Sequence, residues 1–157
     1  MAWKTYQGEE LNQELELAVE EVIKRLHAEG REIKLCIGTD SQVKGLSIDM
    51  VTVIVFRIIG NGGFMFVQKS RIRQKMSMRE RMLTEVGASI GVADELREIA
   101  VRNSVDIEIH ADINQDPKFP SQQAWQDAMG YTKGMGFTFV SKPDAYASSV
   151  CADRLCH

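Results

Sequence analysis

The chain is poor in several residue types whose abundance marks whole protein classes. Three cysteines among 157 residues are too few for a disulfide framework, and their number is odd. Cys36 stands in an apolar run and Cys151 and Cys156 fit no zinc-ligand spacing, so reduced thiols in a cytoplasm are expected. Three prolines and no repeat or low-complexity tract exclude collagen-like and disordered chains. No apolar run approaches the ~20 residues of a membrane helix; the longest, Val51 to Phe56, stops at Arg57. The N-terminus lacks the basic, apolar and small-residue order of a secretory signal. Aromatic residues are sparse at 7%, and Trp3 and Trp125 are isolated, so no stacking platform for single-stranded nucleic acid stands out. Excess positive charge is missing too, since the net charge is −3.

What is present fits one soluble domain over residues 1–157, with a helical extension over 1–30 and a core over 31–157. The charge divides along the same line. Residues 1–30 carry −4 and the remainder +1. Within that remainder Lys69, Arg71, Arg73, Lys75, Arg79 and Arg81 crowd one stretch whose single acid is Glu80.

Leu11, Leu15, Ala18, Val19, Val22, Ile23 and Leu26 recur at helical spacing, which predicts a helix over about Gly8 to Glu29. Three β-patterned runs follow, from Glu32 to Asp40, Met50 to Ile59 and Phe64 to about Arg73. Gly60-Asn61-Gly62-Gly63 is a hairpin signal between the last two, and an antiparallel meander is expected. Ser77-Met78-Arg79-Glu80 has capping-box spacing and opens a helix to about Asn103. Val105 to Asp112 alternates as a fourth strand, and Asn114 to Pro120 is a loop. A helix over Ser121 to about Gly134, a strand over Phe137 to Val140 and a last helix from Ser141 to Leu155 complete the order. After the first helix it reads β-β-β-α-β-α-β-α, a mixed α/β chain.

Four acids occupy particular places in that order. Asp40 and Asp112 each end a strand. Asp40 reads as a residue held at the sheet rim or as a turn former in Thr39-Asp40-Ser41. Asp112 shares an alternating face with Asp106, Glu108 and His110, a pattern that a solvated face also produces. Glu85 lies within about 80° of Met82, Ala88, Ser89, Val92, Leu96 and Ile99 on a helical projection, so it points inward while its fellow acids point away. An inward carboxylate needs a pair, hydrogen bonds or a metal, and Arg81 is a candidate partner. Asp144, in Ser141-Lys142-Pro143-Asp144, has the position of a helix cap. Four carboxylates share a site only with a compensating cation. Oxygen-only ligands select Mg²⁺ or Mn²⁺, and two such ions suit in-line phosphoryl transfer.

These positions resemble the ribonuclease H-like superfamily, and the resemblance covers about Ile33 to Leu155. It implies a five-stranded mixed sheet flanked by helices, with the N-terminal helix as an extra. Asp40, Glu85, Asp112 and Asp144 match the family's first-strand aspartate, first-helix glutamate, fourth-strand aspartate and last-helix aspartate. They are thereby the expected catalytic and metal-binding residues. Gly38-Thr39-Asp40-Ser41-Gln42, His110-Ala111-Asp112-Ile113-Asn114 with Lys118-Phe119-Pro120-Ser121, and Lys142-Pro143-Asp144-Ala145 resemble the bacterial YkuK-type branch. Ser41 stands where many ribonucleases H have glycine. The implied activity is two-metal hydrolysis of phosphodiesters in DNA or RNA; the alternative is an inactive nucleic-acid-binding or scaffold module.

The basic stretch gives a separate pointer to phosphates. Lys69, Arg71, Arg73 and Lys75 alternate, and Arg79 and Arg81 lead into Glu85, which suits a substrate groove. A charged strand edge that discourages aggregation produces the same pattern. Met76, Met78 and Met82 read as core filler.

Overall fold

A computed structural model describes residues 2–114, 118 and 122–156. The elements are β1 (Trp3–Thr5), α1 (Leu15–Ala28), β2 (Ile33–Lys44), β3 (Ser47–Ile58), β4 (Gly63–Ile72), α2 (Met78–Arg102), β5 (Ile107–His110), α3 (Gln122–Gly134) and β6 (Thr138–Val140). A π-helical segment, Ala147–Ala152, and α4 (Asp153–Cys156) follow. The strands form one six-stranded sheet in the order β1-β4-β3-β2-β5-β6. The first four are antiparallel, whereas β5 and β6 run parallel to β2.

The meander follows from β-branched alternation and tight turns. The glycines at 60 and 62 turn the β3–β4 hairpin with φ of 78° and 74°, a region in which side chains with a Cβ are strained. Alternation then sorts the strands into two layers. Leu35, Ile37, Ile54, Phe56 and Phe66 face α1, α2 and α3, where Phe56 stacks on Phe64 and meets Phe66 edge-on. Cys36, Val51, Val53, Val55 and Val67 face the C-terminal segment through Ala147 and Ala152.

Two expectations change at the N-terminus. The sheet has a sixth strand, and α1 begins at Leu15. Gly8, with φ of 97°, sits in a turn in which the Thr5 amide donates to the Glu9 carbonyl, and that turn folds the chain back toward β1. Leu11 has helical spacing but packs against the core from outside the helix, its amide donating to the Trp3 carbonyl. The apolar face of α1, including Val19 and Ile23, is buried in the same core as α2.

The long helix starts where its sequence predicts. Ser77 accepts from the Glu80 amide and the Glu80 side chain accepts from the Ser77 amide, a reciprocal cap. The loop expected over 114–120 and the helix start at Ser121 lie largely outside the described residues. The last helix is broken: Asp144 lies in a bend before the π-helical segment.

Gly38 decides how that segment seats. A Cβ built on it would lie 2.5 Å from the Ser148 nitrogen and 2.6 Å from the Ala147 carbonyl carbon. Only a glycine lets the segment's backbone approach β2 this closely.

A carboxylate cleft at the ends of two parallel strands

The pairing of β2 with β5 ends at Gly38 and His110, while β2 continues to Lys44 in its hairpin with β3. Beyond His110 the Ala111 amide turns to the Val140 carbonyl. The two parallel strands therefore part just where Asp40 and Asp112 stand. Crevices at the carboxyl ends of strands, where neighbours diverge, are the usual ligand sites of mixed sheets.

The N-terminal half of α2 closes this opening. Asp40, Glu85 and Asp112 line one cleft of about 120 Å³ together with Met78, Arg81 and Met82. Asp40 is 7% exposed and Glu85 8%. Met78 is 60% exposed, so at the cleft mouth it is surface rather than the core filler its composition suggested.

Glu85 is held by groups that the sequence did not reveal as partners. The Ser41 hydroxyl donates to Glu85 Oε2 at 2.5 Å. Arg81, one turn earlier on α2, donates to Ser41 Oγ and to the Ser41 carbonyl, both at 3.1 Å. The expected Arg81 pair is thus relayed through Ser41. Beneath it, Thr39 bridges Thr52 at 2.9 Å and Ser89 at 2.7 Å, which satisfies three buried hydroxyls. Asp112 is half-buried, and Lys142 Nζ lies 2.8 Å from its Oδ1.

Burial pushes the Glu85 carboxyl up to about 8, and the Asp40 charge pushes the same way against the Ser41 hydrogen bond and Arg81. The metal-free fold therefore favours neutral Glu85. Stability from this group is complete below its ordinary value of 4.5 and is lost as pH rises through about 8. At roughly 1.4 kcal/mol per tenfold change in proton affinity, discounted for partial access of water, the loss is about 2–4 kcal/mol. Glu85→Gln stays neutral and still accepts from Ser41. In chelator at pH 8 it should melt about 5–10 °C above the parent, and near the parent at pH 4.5. Equal melting of both proteins at pH 8 would refute this account of Glu85.

The other predicted residues separate. Asp144 is exposed and does not line the cleft; its charge acts on His110. Lys69 and Arg71 do share a face, but it is the face of the C-terminal segment, beside Leu155. There Arg71 donates twice to Asp49, which Lys44 also meets at 3.1 Å. Arg71 and Lys44 hold the Asp49 carboxyl down at about 2. Arg73 and Lys75 follow the end of β4 as exposed residues, and Arg79 pairs with Asp127 on α3. Arg81 alone of the six lines the cleft.

The alternating face of β5 is covered rather than solvated, because the C-terminal segment packs over it. His110 is buried, and its ring meets Tyr146 edge-on at 4.6 Å. Among the described residues, Cys36, Glu108 and His110 are the acid, thiol and imidazole trio whose ligand atoms lie within 4.8 Å of one another. The cleft carboxylates do not close to that spacing, as expected of like charges without a cation between them. Hydrogen bonding argues against a metal at the trio. The Ala147 amide donates to His110 Nδ1 at 3.2 Å, which assigns the ring proton to Nε2. Nε2 in turn lies 3.1 Å from Glu108 Oε1, so no lone pair is left there for a metal. Cys36 Sγ, 2.9 Å from the Tyr146 hydroxyl, completes a polar clasp under the C-terminal segment. Burial pushes the Cys36 thiol up to about 11, the opposite of a ligand thiolate.

No curated protein matches the chain in sequence. Among solved structures, it is similar to RNase H1 from the halophilic archaeon Halobacterium salinarum at 18% identity and TM-score 0.48, covering 78% of this chain and 93% of that one. It is also similar to the N-terminal RNase H domain of a Mycobacterium tuberculosis protein at 11% identity and TM-score 0.37, covering 80% and 94%. The family model described as ribonuclease H-like matches residues 17–157, nearly the whole chain. On that match, the chain belongs to the ribonuclease H-like family.

Proposed function

We propose that this chain is a metal-dependent nuclease that hydrolyses phosphodiester bonds in nucleic acid. The observation that carries the reading is the delivery of Asp40, Glu85 and Asp112 from three separate elements into one cleft. The donor set suits Mg²⁺ or Mn²⁺, being oxygen-only. The Glu85 carboxyl is raised first by burial and then by the Asp40 charge, and a divalent cation beside it would favour the ionised form again. Bound there, one or two such ions would activate water and neutralise charge on the departing oxygen.

The chain's own contributions follow from placement. Asp40, within β2 where β5 parts from it, and Asp112, just past β5, would anchor the cation. Glu85, oriented by Ser41, completes the ligand set and positions water. Arg81 lies at the cleft and faces an incoming phosphate. The role of Asp144 as a fourth ligand rests on the family motif, as does membership of the YkuK-type branch. Lys69 and Arg71 lie on the other face of the sheet, so the basic groove of this reading narrows to Arg81 and the residues about the cleft mouth. Residues 1–30 act as an extension of the same domain.

A second reading, a non-catalytic nucleic-acid-binding module, draws on Lys142, which already neutralises Asp112. The two separate on labelled single-stranded, duplex, hybrid and branched substrates with Mn²⁺ or Mg²⁺. The nuclease yields products that a chelator abolishes. Salt-sensitive binding with no product from any substrate overturns it in favour of the module.

A further inference from the structure

Lys142 is seated on Asp112 by the backbone as well as by charge. Its amide donates to the Ile113 carbonyl at 3.2 Å, next to Asp112 in the chain. The preceding residue, Ser141, accepts from the Trp125 indole N–H at 3.1 Å, which ties this turn to α3. The ammonium then meets Asp112 Oδ1 at 2.8 Å. Asp112 Oδ1 is buried, but the Asp112 side chain is 26% exposed and that of Lys142 46%, so the lysine has a solvent side toward which it can leave. A lysine is a compact point charge on a flexible stem, able to occupy and vacate an oxygen site without rebuilding the backbone.

We propose that Lys142, from beside the cleft, is the counter-ion of Asp112 and competes with a divalent cation for it. The inference rests on the metal-binding reading of the cleft and adds a regulation to it. An ammonium and a divalent cation held on the same Asp112 carboxylate repel each other at close range, so cation binding favours departure of the lysine. Asp112 then stays neutralised without the ion, and the cleft's affinity for that ion is set below what the carboxylates alone would give. The displaced ammonium remains tethered at the cleft through the Ile113 contact.

The test is calorimetric titration of the full chain with Mn²⁺ alone, at constant ionic strength, with no nucleic acid. Lys142→Met should bind Mn²⁺ about tenfold more tightly than the parent, and Lys142→Arg close to the parent. In an Asp112→Asn background the methionine substitution should change affinity by less than about twofold, because the competed oxygen is gone. Parent binding with no tightening in Lys142→Met overturns the inference and leaves the metal reading standing. Tightening that persists in Asp112→Asn overturns it as well, since the effect would then be long-range charge. Absence of Mn²⁺ binding to every variant overturns the inference together with the metal reading. Should Lys142→Met fold poorly, Lys142→Gln removes the same charge while keeping a polar end.

Discussion

Asp40→Asn should lower metal-dependent cleavage at least about a hundredfold while leaving the fold intact. The expected size follows from the several kcal/mol of transition-state stabilisation that a metal centre supplies, at about 1.4 kcal/mol per factor of ten. The side chain keeps its volume and hydrogen-bonding reach but gives up the charge that would hold a cation. The same change removes a charge that pushes the buried Glu85 carboxyl upward. Metal-free Asp40→Asn should therefore melt at or above the parent near pH 8, where that repulsion counts. Lost activity without lost stability is the signature of a functional carboxylate, the pattern expected where a site is held at a cost to the fold. Product formation at the parental rate in Asp40→Asn, with Mn²⁺ supplied, would rule out the carboxylate mechanism.

Gly38→Ala should destabilise the protein by about 2–4 kcal/mol and lower its melting temperature by about 5–12 °C. The added methyl would meet backbone atoms of Ala147 and Ser148 rather than a side chain that can turn away. The C-terminal segment must lift, and with it go the Ala147 bond to His110 and the Tyr146 contact with Cys36. The turn bearing Lys142 lies just upstream, so Mn²⁺ affinity should shift as well. Differential scanning calorimetry with parallel metal titration measures both. An unchanged melting temperature would show that the segment does not pack on β2 as described.

Much of the site was legible in particular residues. Glu85 could be placed inward because helical periodicity is local and its apolar neighbours recur at the right spacing. The two aspartates stood out from alternating runs expected to stop at Asp40 and Asp112, although Asp40 lies within β2, four residues before its end, and Asp112 just past β5. Their convergence did not, because it depends on β5 pairing with β2 across a long stretch of intervening chain. Alternation also placed Lys69 and Arg71 together, but not on which side of the sheet. Pattern tells which residues share a face, and only packing tells what covers it. His110 and Glu108 fall under the same rule, since a face that looks solvated in sequence lies under a segment some forty residues later. β1 escaped notice because three residues carry no periodic signal and gain their strand geometry from pairing with β4 and from the bridge to Glu10.

Local chemistry alone determined the strand and helix order from α1 to β6, the capped start of the long helix and the inward turn of Glu85, since each depends on neighbours within one or two turns. Tertiary structure decided which acids share the cleft, that Ser41 and Arg81 orient Glu85, that Lys142 sits on Asp112, and that Asp144 lies apart from the cleft lining. Those outcomes rest on contacts between distant segments, whose geometry exists only once the sheet has closed and both its faces are covered.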